Sequence, residues 1–256
     1  MIMTWYTAIF LGLVQGLAEF LPISSSGHLL LFESWFGITD GGLLLTIILH
    51  LATLLAVVVV YRKQLWQMVR HPWQPATARL LLATVVTCAI VLIFHEVIDQ
   101  LFTVTALPYA FILAGIYLLL PTIFRPKNNN DCKINPWWQA ATLGLAQGVA
   151  VVPGLSRSGL TITTGRLCGM SATDATDFSF LMSLPIILGS LLYELLRGGS
   201  IQNLGVGNIG LAFITAFIAG ILAIKFMLAL TRKIDLRWFA VYLLLLGGGL
   251  MIASWF

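Results

Sequence analysis

Charge is scarce in this sequence. Only 9% of the 256 residues are Asp, Glu, Lys or Arg, whereas 59% are hydrophobic. A soluble domain carries roughly a quarter charged residues and just under half apolar ones. Because the apolar excess extends along the whole length, the composition excludes a water-soluble globular enzyme, a disordered chain and a nucleic-acid-binding protein. It indicates a polytopic membrane protein.

Cysteine and N-terminal positive charge are scarce as well. The three cysteines contain no C-x-x-C pair and cannot form a full disulfide framework. The first Lys or Arg of the chain is Arg62, so the basic region of a cleaved signal peptide is lacking. We therefore expect no cleaved signal peptide, and an N-terminus that lies outside the cytoplasm.

Ten apolar segments follow one another, and six of them are long enough to cross a hydrocarbon core of ~30 Å as helices. These six are residues 41–61, 79–95, 104–124, 174–196, 208–230 and 238–255. The four shorter segments are residues 4–19, 26–36, 137–152 and 157–169. They form two pairs, each interrupted by Pro, Gly and Ser, at 20–28 and 151–159. Such interrupted pairs predict re-entrant hairpins, which enter and leave the bilayer on one side.

The two halves of the chain resemble each other at an offset of 132 residues. Gln15-Gly16-Leu17-Ala18 recurs as Gln147-Gly148-Val149-Ala150, and Ser24-Ser25-Ser26-Gly27 recurs as Ser156-Arg157-Ser158-Gly159. Further matches in the same register are Gly37 with Gly169, Thr39 with Ser171 and Tyr61 with Tyr193. Each half holds one re-entrant helix pair plus three transmembrane helices. Because three is odd, the second half must be inverted relative to the first.

We therefore predict an all-α polytopic membrane protein with a single membrane domain over 1–256. It consists of an inverted repeat, with repeat 1 at about 1–125 and repeat 2 at about 133–256. This topology brings ten of the fourteen basic residues to one side: Arg62, Lys63, Arg70, Arg79, Arg125, Lys127, Lys133, Arg232, Lys233 and Arg237. The opposite loops hold Arg197 with three acidic residues, so the basic side is expected to be cytoplasmic and both termini extracytoplasmic.

Polar and ionisable residues inside a membrane are expensive and mark functional sites. In the first interrupted pair, Gln15 and Glu19 share one helix face that points at the break. Ser25 and His28 are one turn apart in the next helix, as a hydroxyl nucleophile and its base would be. Backbone N–H groups at the start of that helix favour an anion.

The second interrupted pair complements the first. Pro153-Gly154 breaks a helix, and Arg157 follows between Ser156 and Ser158. The guanidinium fork of Arg157 suits phosphate oxygens. Two helix N-termini that meet near the midplane, together with an arginine and several hydroxyls, would form a site for a phosphate group. Glu19 would then act as a ligand for a divalent cation or as a proton acceptor.

Structural interpretations compete with these roles. Each serine after Pro22 could cap a helix, and Gln15 could make a hydrogen bond between helices. His50 stands alone on an apolar helix and is interpreted as a packed residue rather than a ligand. A purely structural role for Glu19, His28 and Arg157 together would require a buried partner for each of them.

The two segments QGLAEFLPISSSGH (15–28) and PGLSRSG (153–159) resemble the signatures of the undecaprenyl-diphosphatase family, also known as the bacitracin-resistance family. The resemblance covers nearly the whole chain in length, repeat and motif order. It implies a phosphatase of the bacterial inner membrane that converts undecaprenyl diphosphate to the monophosphate and so recycles the lipid carrier of cell-wall synthesis. The implied catalytic residues are Glu19, Ser25, His28 and Arg157, surrounded by the substrate-binding residues Gln15, Ser24, Ser26, Ser156 and Ser158.

The resemblance also implies a divalent cation, Mg²⁺ or Ca²⁺, at Glu19 and Gln15. Gln15 stands where the family pattern also allows Glu, which removes one negative charge from that metal site. The nucleophile stays open between Ser25, His28 and water. The expected partners are a polyprenyl diphosphate and membrane lipid, with no nucleic acid and with a homodimer left open. The alternative function is an inverted-repeat secondary transporter or lipid flippase.

Overall fold

The computed structural model describes residues 3–38, 42–124, 136–197, 206–230 and 235–254. Throughout these ranges the regular structure is helical, and no strand occurs within them. The helices are α1 (Trp5–Ala18), α2 (Ser25–Trp35), α3 (Gly42–Val60), α4 (Arg62–Arg70), α5 (Pro75–Ile93), α6 (His95–Leu101), α7 (Leu107–Phe124), α8 (Trp137–Val149), α9 (Arg157–Leu167), α10 (Ala172–Arg197), α11 (Val206–Leu230) and α12 (Arg237–Ala253). This arrangement confirms the all-α fold class.

Several helices are long and apolar enough to cross a membrane. Among the described residues four qualify singly: Pro75–Ile93, Val104–Phe124, Ala172–Leu192 and Gly207–Leu230. A fifth span results if Leu45–Val60 and Arg62–Arg70, which are bent by 78° at their junction, are counted together. The helices α1 and α12 are apolar but shorter. The multi-pass organisation is thus confirmed, whereas the count of six crossings stays a prediction.

Both interrupted segments end one helix and begin another, as the Pro, Gly and Ser content predicted. The helix α1 ends at Ala18 and α2 begins at Ser25, while α8 ends at Val149 and α9 begins at Arg157. The helices α1 and α2 therefore begin 132 residues before α8 and α9. The repeat of these segments in the sequence is therefore matched by a repeat of their helix boundaries.

The two halves interlock through close helix contacts. The helix α1 packs on α11 of the second half, and α8 of the second half packs on α5 of the first. Glycines on α1 and α8 bring these backbones together: a Cβ on Gly12 would lie 2.6 Å from the carbonyl oxygen of Ala212, and one on Gly144 would lie 2.5 Å from that of Ala83. Small residues at helix interfaces are a common means of close association inside membranes.

The basic residues that orient the topology are only partly described. Arg62, Lys63 and Arg70 are exposed on α4. Five others, Arg125, Lys127, Lys133, Arg232 and Lys233, lie outside the described residues. The same holds for Thr39 of the repeat and for the side chain of its member Tyr193.

Candidate active site

The two interrupted segments meet in the interior of the protein. The backbone N–H of Gly154 donates to Ser24 Oγ at 3.0 Å, and Ser158 Oγ donates to the carbonyl oxygen of Leu21 at 2.9 Å. The approach is close enough that a Cβ on Gly27 would lie 2.9 Å from the Gly154 Cα atom. The N-terminal ends of α2 and α9 are thereby held against each other.

A serine caps each of these two helices. Ser24 Oγ accepts from the backbone N–H of Gly27 at 3.4 Å, and Ser156 Oγ accepts from that of Gly159 at 3.1 Å. Ser24 has a φ of 70°, a region in which a side chain costs free energy. Capping and membership of the site are therefore compatible, because Ser24 Oγ both caps α2 and accepts from Gly154 of the second segment.

Glu19 lies at the centre of the cluster and is 4% exposed. Its Oε1 atom forms an ion pair with the guanidinium of Arg157. Its Oε2 atom accepts from Ser25 Oγ at 2.5 Å and from Gln15 Nε2 at 3.0 Å. Four of the predicted site residues, which come from both halves of the sequence, are thus in direct contact.

Arg157 retains binding capacity. Its Nη1 atom is buried and has no hydrogen-bond partner among the residues that the structure describes. Buried guanidinium N–H groups without a partner are costly, so such a group is well suited to donate to an anion with several oxygens. The α9 helix begins at the same residue and adds its positive dipole end.

The ring nitrogens of His28 contact Ser24 and Tyr242. Its Nδ1 atom lies 2.8 Å from the carbonyl oxygen of Ser24 and must donate to it, since a carbonyl oxygen only accepts. In the neutral ring its Nε2 atom then accepts from the hydroxyl of Tyr242 at 2.6 Å, and the two rings are stacked with an interplanar angle of 12°. Of the two candidate bases for Ser25, the structure brings Glu19 rather than His28 into contact with the hydroxyl.

The remaining predicted residues lie nearby with weaker contacts. Ser156 Oγ is 3.4 Å from Ser158 Oγ, and both side chains are buried. Ser26 is partly buried in the first turn of α2.

Two residues at the site were not predicted, namely Tyr242 and His50. The Nε2 atom of His50 lies 3.9 Å from Glu19 Oε2. As an ionisable residue inside a membrane helix, His50 carried a signal that could have identified it.

The described residues contain no group of three or more His, Cys, Asp or Glu side chains that could enclose a metal ion. A smaller set of oxygen donors is present, namely the Glu19 carboxylate and Gln15 Oε1. The Gln15 Oε1 atom is buried and has no described partner, while Nε2 of the same amide donates to Glu19 Oε2. Mg²⁺ commonly binds through one or two carboxylates and completes its coordination with water and substrate phosphate. The donor set fits a cation of that kind and does not fit an all-protein cage.

The fold and the site define a polytopic membrane protein with a serine, a carboxylate, a histidine and an arginine gathered where two interrupted helix pairs meet. The family model described as bacitracin resistance protein BacA matches residues 8–249. The chain therefore belongs to this bacitracin-resistance family, as the signature segments predicted.

Similar proteins carry a consistent name. The chain is 36% identical to the undecaprenyl-diphosphatase of Carboxydothermus hydrogenoformans, with 98% of this chain and 97% of the relative covered. It is 38% identical to the undecaprenyl-diphosphatase of Treponema denticola, with 99% and 98% covered. It is 37% identical to undecaprenyl-diphosphatase 1 of Shouchella clausii, with 94% and 93% covered.

Proposed function

We propose that this protein is an integral membrane phosphatase that hydrolyses undecaprenyl diphosphate to undecaprenyl phosphate and inorganic phosphate. This reaction recycles the lipid carrier of cell-wall synthesis in the bacterial inner membrane. The observation that carries the proposal is the Arg157 guanidinium beside the Ser25–Glu19 hydrogen bond, because its buried Nη1 atom has no partner among the described residues. The family and the names of the relatives support the same reaction.

The roles of the side chains follow from their contacts. Arg157 and the N–H groups at the starts of α2 and α9 bind the diphosphate. Ser25 Oγ attacks the terminal phosphorus while Glu19 Oε2 accepts its proton, and the bond from that phosphorus to the bridging oxygen breaks with its electron pair on the lipid phosphate. Water then attacks the phosphorus of the phosphoserine, and the Oγ–phosphorus bond breaks with its electron pair on Oγ. Glu19 returns the proton to Oγ as phosphate leaves. For His28 to act as the nucleophile instead, it would first have to lose its hydrogen bond to Tyr242.

Trapping of the intermediate tests the nucleophile. We expect a phosphoserine at Ser25 when the purified full-length protein is quenched with acid during turnover and analysed by mass spectrometry. Ser25→Ala should abolish both the phosphopeptide and phosphate release, whereas Ser34→Ala, an exposed serine on the same helix, should leave both unchanged. Full activity of Ser25→Ala would assign the attack to water or to His28.

A divalent cation, Mg²⁺ or Ca²⁺, is part of the proposal. Glu19 and Gln15 Oε1 would hold it, and it would supply positive charge against the diphosphate. Phosphate release should stop in EDTA and return when Mg²⁺ or Ca²⁺ is added back. Gln15→Glu should lower the cation concentration needed for half-maximal activity, because a second carboxylate strengthens an oxygen site for a hard cation. Activity that is indifferent to EDTA would remove the metal from the proposal.

We further propose six crossings, an inverted repeat, and termini and a site that face away from the cytoplasm. The repeated boundaries of α1–α2 and α8–α9 support the repeat, and the exposed basic residues of α4 support the cytoplasmic assignment of that helix. Epitope tags at both ends should be accessible to antibody in spheroplasts without permeabilisation. The homodimer is likewise a proposal, which light scattering of the protein in detergent would test.

A transporter or flippase is the less favoured alternative. Carriage alone requires neither a hydroxyl hydrogen-bonded to a carboxylate nor an adjacent guanidinium whose Nη1 atom has no partner among the described residues. Release of phosphate from undecaprenyl diphosphate by the purified protein supports the phosphatase. Movement of the lipid across proteoliposomes without phosphate release would support the alternative.

A further inference from the structure

A cavity of about 240 Å³ lies between α4, α5 and α10. Its charged lining consists of Arg79 from α5 and of Asp174 and Asp177 from α10. Among the described residues, no hydrogen bond or ion pair joins these three side chains to the cluster around Glu19. The proposed phosphatase reaction therefore makes no use of this cavity.

The cavity lies near the ends of two apolar spans. Arg79 follows the start of α5 at Pro75 by four residues, and Asp177 follows the start of α10 at Ala172 by five. At 1.5 Å per residue, both lie about 6–8 Å along the helix from its end. The headgroup layers of a bilayer are roughly 5–8 Å thick on each side of the hydrocarbon core. The charged side chains are thus at the depth of lipid headgroups.

The helix α4 runs across this end of the spans. It is bent by 78° from the end of α3. Met68 of α4 lines the cavity, whereas Arg62, Lys63 and Trp66 of the same helix are exposed. Exposed tryptophan and basic side chains are typical of a segment at the membrane interface. The cavity therefore opens where phospholipids are the neighbouring molecules.

The charges that line the cavity do not neutralise one another. The Nε atom of Arg79 is buried and has no hydrogen-bond partner among the described residues, and no ion pair joins Arg79 to either aspartate. The aspartates are held by neutral donors instead: Asp177 Oδ1 accepts from the Tyr61 hydroxyl at 2.7 Å, and Asp174 Oδ2 accepts from the Ser171 hydroxyl at 2.6 Å. A positive wall on α5 and a negative wall on α10 are thus separated by open space. That arrangement fits a ligand with opposite charges at its two ends.

A second cavity provides an internal comparison. It is lined by Arg166 of α9, whose Nε atom is also buried without a described partner. No acidic side chain lines it among the described residues, and its volume is about 30 Å³. An unpartnered arginine therefore occurs in two places, but only Arg79 shares a larger cavity with carboxylates.

From this arrangement we propose that the cavity between α4, α5 and α10 binds the headgroup of a phospholipid that carries ethanolamine phosphate. The phosphate oxygens accept from Arg79, and the primary ammonium donates to Asp174 and Asp177. A choline headgroup has no N–H group to donate to the carboxylates. A glycerol headgroup has no positive charge, so its phosphate would meet two like charges uncompensated. The inference goes beyond the proposed phosphatase function and does not depend on it.

The rest of the lining favours a lipid over a soluble ethanolamine phosphate. Four apolar side chains complete the walls: Met68, Leu80, Phe178 and Leu181. Acyl chains that leave the headgroup along these side chains would bury apolar surface, which a soluble ligand of the same charge cannot do.

The test is native mass spectrometry of the purified full-length protein, titrated with lipids that share acyl chains but differ in headgroup. We expect the Kd for phosphatidylethanolamine to be about tenfold lower than that for phosphatidylcholine or phosphatidylglycerol, in line with hydrogen bonds to charged groups. Arg79→Gln should abolish this preference, as should the double variant Asp174→Asn with Asp177→Asn. The matched controls Arg166→Gln and Asp235→Asn, the latter at an exposed aspartate, should retain it.

Several outcomes would overturn the proposal. They are equal Kd values for the three lipids, tighter binding of phosphatidylglycerol, and an unchanged preference in both cavity variants. Competition by free phosphoethanolamine at the lipid concentration would assign the cavity to a soluble ligand instead. A measurement without variants gives a further check: phosphatidylethanolamine should raise the Tm of the unmodified protein more than phosphatidylcholine does, and equal shifts would contradict the site. Failure of the unmodified protein to release phosphate would overturn only the proposed function.

Discussion

At the scale of single residues, Glu19 has three donors, one from each of α1, α2 and α9. Replacement by Gln would preserve its shape but remove the charge that compensates Arg157. A buried guanidinium without its counter-ion costs about 3–5 kcal/mol. We therefore expect Glu19→Gln to lose phosphate release and to unfold at a lower temperature in detergent.

Inorganic pyrophosphate should reveal the cause of that loss. If the destabilisation comes from an unpaired Arg157, the ligand anion should raise the Tm of Glu19→Gln more than that of the unmodified protein. Scanning fluorimetry with and without pyrophosphate measures the difference, with Glu96→Gln, an exposed glutamate on α6, as control. Equal shifts in all three proteins would contradict this explanation.

Tyr242 allows a second prediction at this scale. Tyr242→Phe retains the ring that stacks on His28 but removes the hydroxyl that donates to Nε2. A buried acceptor left without its donor costs about 1–3 kcal/mol of stability, so we expect Tyr242→Phe to unfold at a lower temperature. The exposed Tyr109, changed to Phe, serves as control. The thermal midpoint in detergent decides the outcome, and a midpoint equal to that of the control would show that the hydroxyl is dispensable.

The sequence predicted the site residues that lie close to one another along the chain. Glu19 and Gln15 are one turn apart, and Ser25 follows a proline break, so spacing alone placed them on one side of the site. Arg157 was found because the internal repeat aligned its segment with the first. Tyr242 was missed as a site residue because its contact with His28 depends on how separate helices pack, which no local pattern encodes. His50 was noticed but interpreted as a packed residue, because the sequence did not show that it lies near Glu19.

At the scale of helices, glycine spacing determines how closely α1 and α11 approach. A Cβ on Gly16 would lie 2.5 Å from the carbonyl oxygen of Ala216, a backbone atom that cannot move aside cheaply. Gly16→Ala should therefore destabilise the protein by about 1–3 kcal/mol, the range for an overpacked core. The measurement is the thermal midpoint in detergent.

The matched control is Gly248→Ala on α12, where a Cβ would meet nothing within 4 Å. Because alanine is favoured over glycine in a helix by about 1 kcal/mol, this variant should be neutral or slightly stabilised. Equal loss of stability in both variants would indicate that the close approach of α1 and α11 is not what requires Gly16.

The boundaries of the helices were harder to predict from the sequence than their presence. The sequence predicted a crossing over 79–95, whereas α5 begins at Pro75, since proline is well suited to the first position of a helix. It also did not predict α4, which is too polar to register as an apolar segment. In the structure α4 turns Leu65 and Met68 to the core, and the guanidinium of Arg70 lies 4.9 Å above the ring of Trp66.

At the scale of the whole molecule, the all-helical, multi-pass organisation was predictable because composition and segment length determine it. The exchange of partners between the halves, in which the first helix of each half packs on a helix of the other, was not predictable. The main packing partner of the first helix of each half lies in the other half, since α1 packs chiefly on α11 and α8 chiefly on α5. Fragments 1–130 and 131–256 should therefore lack activity when expressed singly and regain it when co-expressed. Activity of either fragment alone would contradict this, and phosphate release from membranes is the measurement.

The exchange of partners also has a consequence for biosynthesis. The helix α1 begins at Trp5, but its partner α11 begins only at Val206. At ~5–20 residues per second, a ribosome needs on the order of ten to forty seconds to synthesise the intervening chain. During that interval the nascent protein must keep Gln15 and Glu19 in the insertion machinery or at the lipid surface. Assembly of the site is thus a late event, completed only near the end of translation.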